Sequence, residues 1–235
     1  SRGLGDVYKR QPFGHSGEYI LNKICEDGFT HYEQSVRIVE VLEKDGRGLN
    51  LTWEVRDGIR NHRTSGHPST LEGAIVRLSD KIAYINHDID DAIRARMFTE
   101  HELPRVYTDV LGHSVRERLN NMIHDIILNS MDKPAITMSE GMEEAMQGLR
   151  KWMFDNVYKN DIPKAEEGKA QNMITQLYEY YMGHVDKLPV EYVLLMVNKG
   201  EKKSRVVCDY IAGMSDIYAI DQFEELFVPK RWNVY

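Results

Sequence analysis

The chain has 235 residues, 42% of them hydrophobic and 29% charged, with a net charge of −7. At roughly 150 residues per domain this length allows one large domain or two small ones, and the mixed-sign composition without Pro/Gly/Ser-rich tracts excludes wholesale disorder and collagen-like structure. A global negative excess does not steer a protein toward nucleic acid or an anionic membrane, so a polyanionic substrate needs a local basic or metal-bearing pocket.

Apolar residues recur at spacings of three and four rather than two along the whole chain, which predicts an all-α fold. In chain order, helices are expected over about 16–26, 32–44, 49–62, 70–98, 101–111, 114–131, 138–159, 163–187, 190–199 and 202–227, with ends uncertain by ~2–4 residues. Gly46 and Gly48 separate the second and third, the segment from Arg63 to Pro68 separates the third and fourth, and Pro163 and Pro189 suit first-turn positions. Ser69 followed by Glu72 reads as a capping box opening the long fourth helix. The longest aliphatic stretch, Val193 to Val197, is far short of the ~20 apolar residues of a membrane span. The opening SRGLGDVYKRQ has neither the apolar segment nor the cleavage site of a secretory signal. Cys25 and Cys208 are too few and too far apart in sequence for a disulfide framework or a Cys-rich zinc site, and a reducing cytoplasm is the expected location.

Five segments contain residues that can do chemistry. In PFGHSGE, residues 12–18, His15 stands between Gly14 and Gly17 just ahead of the first helix, where glycines would let the backbone approach a ligand. In THYEQSVRIVE, residues 30–40, His31 and Gln34 are three apart and face the same way, so both can reach a phosphate. In GLNLTWEVRDGIRNH, residues 48–62, Trp53 reads as core and Arg56 with Arg60 as an exposed row. LSDKIAYINHDIDD, residues 78–91, is the sharpest local signal, because Asp80, Tyr84 and Asp88 fall within ~80° of arc on one helix face, with Lys81 beside them. That face is either a solvated row of i,i+4 pairs or a site of carboxylate, phenol and carboxylate, suited to a divalent cation, a sugar and a hydroxyl. His87 and Asp88 diverge by ~100° in a helix and do not read as a shared metal-ligand pair. In DYIAGMSDIYAI, residues 209–220, Gly213 falls inside the expected last helix and suggests close packing beside Asp209, Tyr210 and Asp216. No phosphate-binding loop, dinucleotide fingerprint, H-E-x-x-H or G-x-S-x-G occurs in the sequence.

Taken in order, PFGHSGE, THYEQSVRIVE, GLNLTWEVRDGIRNH, TLEGAIVRLSDKIAYINHDIDDAI and RVVCDYIAGMSDIYAI closely resemble the deoxyguanosine triphosphate triphosphohydrolase-like branch of the HD-domain superfamily, over residues 12–235. The resemblance implies an all-α HD-type domain that removes tripolyphosphate from a deoxynucleoside triphosphate (dNTP) with the help of a divalent metal such as magnesium or manganese. It implies Asp80 as a metal ligand, Lys81 as a phosphate contact, Tyr84 packed on the sugar, Asp88 near the 3′-hydroxyl, and His15 and His31 as proton-handling histidines, with Gln34 joining the substrate-binding set. It also implies a homo-oligomer, with nucleic acid acting only as a regulator.

One departure matters. In the family, PFGH is preceded by a stretch of the form H-D-x-G-H-T, and here GDVYKRQ stands in its place. Three of the four implied metal ligands are then missing, so residues 1–11 are expected to be a non-family leader, disordered or artefactual. Residues 12–235 are expected to be the carboxy-terminal portion of a single domain incomplete at its amino-terminal side. The chain is accordingly expected not to retain the metal and to have little or no activity. The rival expectations are a metal-free nucleotide-binding regulatory or interaction protein and an HD phosphohydrolase acting on another nucleotide.

Overall fold

The computed structural model describes residues 11–158 and 161–230 of the chain. Residues 1–10, where most of the expected leader falls, lie outside the described residues. As the periodicity predicts, the described residues form helices and turns with no strand. They fall into two compact units, one made of residues up to Leu51 together with those from Ile162 onward, the other of Thr52–Asp161.

The first unit contains α1 (Gly14–Ile24), α2 (His31–Arg37) continued by a π-helical turn (Ile38–Leu42), the short α3 (Glu43–Gly46), and then α9 (Asp161–Gly183), α10 (Val190–Lys199), α11 (Lys203–Ala212) and α12 (Asp216–Phe227). Its core gathers Leu21 of α1, Ile174 and Leu177 of α9, and Val206, Val207 and Ile211 of α11, all essentially without solvent exposure. Cys25 and Cys208, distant in sequence, share this core as free thiols. The expected single helix over 202–227 is two helices. Gly213 ends α11 at an ordinary φ of −80°, and Ser215 caps α12 by accepting from the backbone N–H of Tyr218. Gly213 therefore marks a helix end and not a strained helix interior.

The second unit contains α4 (Trp53–Asn61), α5 (Leu71–Arg94), a 3₁₀ turn (Glu100–Glu102), α6 (Arg105–Leu111), α7 (Val115–Ser130), α8 (Glu140–Met153) and a π-helical turn (Phe154–Tyr158). Its core is built from Ile85 and Ile89 of α5, Met122 of α7, and Leu149 and Met153 of α8. α5 follows the sequence pattern closely, because Leu78, Ile82, Ile85 and Ile89 are buried at helical spacing. It ends at Arg94, earlier than expected, where Arg96 turns left-handed at φ 57°. Its cap also differs. Thr70, not Ser69, accepts from the N–H of Gly73, while the Ser69 N–H is taken by Asp57 of α4 at 2.7 Å. α4 and α5 meet through Gly58 and Gly73, where a Cβ on Gly73 would stand 3.5 Å from the Gly58 Cα and 2.7 Å from Pro68. Trp53, expected in the core, is 55% exposed at the first position of α4. Arg60 is exposed as expected, whereas Arg56 is half-buried.

Candidate active site

His15, Glu18 and His31 come together within the first unit. Phe13, left-handed at φ 62°, turns the chain into α1 and donates its N–H to Asp216 Oδ1 at 2.8 Å. His15 therefore lies in the first turn of α1 and is exposed, not in a loop ahead of the helix. Gly17 is required because a Cβ there would stand 1.8 Å from the Pro12 carbonyl oxygen, so the space its hydrogen leaves is filled by the chain's own backbone and not by a ligand. One turn along, Glu18 reaches across to the start of α2. Its Oε1 accepts from the His31 backbone N–H at 2.9 Å, and its two oxygens lie 2.9 and 3.0 Å from His31 Nδ1.

Glu18 is a functional candidate that the sequence reading passed over. A carboxylate against Nδ1 fixes the ring orientation and makes Nδ1–H the donor, so that Nε2 is the basic nitrogen of the neutral imidazole. Burial pushes the Glu18 carboxyl up, but hydrogen bonds from the ring and the backbone N–H of His31, with the charges of His31 and His15, outweigh it and hold the group below its usual range. A carboxyl lowered on folding contributes stability that is present above its unfolded pKa and lost as pH falls through the folded value. Glu18→Gln is therefore expected to cost most near neutral pH, with the difference from the unaltered protein shrinking below about pH 4. Urea titrations of both proteins at several pH values check this, and a difference that stays constant from neutral pH into acid contradicts it.

Gln34 is placed differently from what its spacing to His31 suggests. It is buried, its Nε2 donates to Asp209 Oδ1 at 3.0 Å, and its Oε1 accepts from Arg205 Nη2. The amide is thus engaged at both ends inside the protein. Asp209 is the hub of this network, since Arg37 Nε donates to both of its oxygens and Arg205 Nη2 to one of them.

The second unit places Asp80, Lys81, Tyr84 and Asp88 along one side of α5, with Lys81 and Asp88 flanking its core stripe, and all four are half-buried. Burial pushes the Tyr84 phenol up, as do Asp88 and Asp80, while Arg150 pulls it down, so the ring lies within reach of both carboxylates and one cation. Burial likewise pushes the Lys81 ammonium down. Arg77 and Arg150 push it the same way and Glu143 pulls it up. His87 is exposed, on a different face from Asp88.

Among the described residues, no group of three or more His, Cys, Asp or Glu side chains is placed to hold a metal ion. Divalent cations take several oxygen or nitrogen ligands. Asp80 alone does not meet that need, so the described residues do not by themselves fit such an ion. The chemistry open to them is binding, charge neutralisation and proton transfer.

Residues 136–225 match the family described as a phosphohydrolase-associated domain. The fold and this match define an all-α HD-type phosphohydrolase class. A deoxyguanosinetriphosphate triphosphohydrolase-like protein of Caldanaerobacter subterraneus subsp. tengcongensis is 51% identical over 229 residues, which cover 97% of this chain and 67% of that protein. Proteins of the same name from Clostridium perfringens and Geobacter sulfurreducens are 40% and 34% identical, covering 97% and 93% of this chain and 68% and 70% of their own lengths. The chain belongs to the deoxyguanosinetriphosphate triphosphohydrolase-like family. No helix among the described residues is long and apolar enough to cross a membrane.

Proposed function

We propose that the protein recognises deoxynucleoside triphosphates, and that its reaction is hydrolysis to deoxynucleoside and tripolyphosphate. The observation that carries this reading is the half-buried face of α5, on which the Tyr84 phenol interacts with Asp88 and Asp80 and with Arg150 of α8, and which Lys81 flanks with its own neighbours Arg77, Arg150 and Glu143. Lys81 neutralises charge on the polyphosphate, Tyr84 packs on the deoxyribose and disfavours a 2′-hydroxyl sterically, and Asp88 accepts a hydrogen bond from the 3′-hydroxyl. Water attacks the α-phosphorus, the bond from that phosphorus to the 5′-oxygen breaks, and tripolyphosphate leaves the deoxynucleoside. The resemblance assigns proton handling to His31, whose ring Glu18 orients at Nδ1, and to His15, one proton being taken from the attacking water and one delivered to the departing 5′-oxygen. A homo-oligomer is part of the reading, with the exposed Ile123, Ile127, Leu128 and Met131 at α7 and its end offering an apolar face.

Within these residues Asp80 is the one metal ligand that the resemblance assigns, so these 235 residues by themselves are expected to bind the nucleotide and to turn it over slowly or not at all. Incubation with dGTP and manganese or magnesium, followed by ion chromatography, tests the reaction. Any phosphorus-containing product should be tripolyphosphate, and in its absence dGTP should still raise the unfolding temperature. Orthophosphate or pyrophosphate as the product overturns the reaction assignment, and neither turnover nor a thermal shift overturns recognition of the nucleotide.

A further inference from the structure

Arginines that serve folding alone are usually matched by a carboxylate, as here Arg37 is by Asp209 and Glu201, and Arg118 by Glu100. Arg77 and Arg150 are held otherwise. Arg77 lies on α5 one turn before Lys81, and its Nη1 donates to the carbonyl oxygens of Thr64 at 3.0 Å and Gly66 at 3.1 Å. Arg150 arrives from α8 and donates from Nη1 to the hydroxyl of the same Thr64, at 3.3 Å. Neutral acceptors thus fix both guanidinium groups around one residue, and neither positive charge is cancelled by those contacts. Arg77 Nε is in addition buried and has no hydrogen-bond acceptor among the described residues.

Both groups lie close enough to Lys81 to disfavour its charge, against which Glu143 acts in the other direction. Three cations gathered at one place, with two of them positioned by a loop, outnumber Glu143, the carboxylate that acts on Lys81, and so leave positive charge for an anion to meet. Four residues along a helix rise about 6 Å, so Arg77 and Lys81 are spaced along α5 to meet successive parts of one polyphosphate. The planar forks of arginine suit phosphate oxygens in pairs.

Resting on the reading of α5 as a nucleotide site, we propose that Arg77 and Arg150 are further substrate-binding residues, which hold the outer phosphates beyond the one that Lys81 contacts. Thr64 is then a positioning residue, since it orients both arginines without meeting the ligand. The segment between α4 and α5 sets the geometry of the triphosphate end, and discrimination between triphosphate and monophosphate follows from the two arginines.

The test is calorimetric titration of the chain with inorganic tripolyphosphate and, separately, with deoxyguanosine. Arg150→Ala should weaken tripolyphosphate binding about tenfold and leave deoxyguanosine binding unchanged, because a hydrogen bond to a charged group is worth roughly that factor. Arg150 is exposed and makes one hydrogen bond, so its removal should not move the unfolding transition. Arg77→Lys, which keeps the charge but not the fork, should weaken tripolyphosphate binding by a smaller factor than Arg77→Ala. Tripolyphosphate affinity unchanged in Arg150→Ala and Arg77→Ala, with Lys81→Ala impaired, overturns this inference and leaves the α5 site standing. Failure of the unaltered protein to bind either tripolyphosphate or dGTP overturns the α5 reading, and the inference with it.

Discussion

Replacing Asp209 by alanine is expected to destabilise the first unit by about 3–5 kcal/mol, the cost of leaving buried positive charge without its partner. The carboxylate has no solvent exposure. Arg37 approaches it with Nε at 2.8 Å from Oδ2 and Nη2 also at 2.8 Å from Oδ2, and Arg205 Nη2 and Gln34 Nε2 each reach Oδ1 at 3.0 Å. Glu201 balances Arg37 a second time, at 3.0 Å. With Asp209 present, two guanidinium groups face two carboxylates. Without it, one positive charge remains in a low-dielectric setting, and the Gln34 amide loses an acceptor. Asp209→Asn keeps the volume and one acceptor oxygen, so it should cost less than alanine but remain clearly destabilising. Urea denaturation of the two variants checks the ordering, and a loss within about 0.5 kcal/mol for alanine would show that the network contributes nothing specific.

How much of this was open to sequence reading depends on the distance between partners. The shared side of α5 was legible because Asp80, Tyr84 and Asp88 recur at helical spacing beside an apolar stripe, and a helix converts that spacing directly into a shared face. Asp209 was visible as a residue but not as a hub, since Arg37 and Gln34 lie 172 and 175 residues away in sequence and no local pattern pairs them. Glu18 was within reach. A carboxylate three residues after one candidate histidine and thirteen before another is a signal for an orienting group, though only the fold brings it onto Nδ1. Local errors had local causes. Ser69 and Thr70 are both good caps, and Asp57 decides between them by taking the Ser69 N–H. The break between α11 and α12 was hidden because apolar spacing continues across Gly213, although Ser215 followed by Asp216 carried a cap signature. Trp53, a large apolar residue assigned to the core by type alone, is exposed.

The second large effect belongs to Lys81. Lys81→Ala is expected to weaken binding of a deoxynucleoside triphosphate by about tenfold to a hundredfold, the range for losing a charge-assisted hydrogen bond in a partly buried setting. Tyr84→Ala should act differently. In the proposed binding mode it takes away the ring packed on the sugar and with it the steric reason for preferring deoxyribose, so affinity for deoxynucleotide should fall while that for ribonucleotide changes little. The two variants therefore separate recognition of charge from recognition of sugar on neighbouring turns of one helix.

The most direct measurement is a calorimetric comparison of dGTP and GTP on the unaltered protein and on Tyr84→Ala, at one ionic strength because exposed charge interactions are screened by salt. The face of α5 predicts tighter binding of dGTP than of GTP, with the gap closing in the variant. Equal affinity for the two nucleotides in the unaltered protein, or a gap that survives removal of the Tyr84 ring, would contradict it.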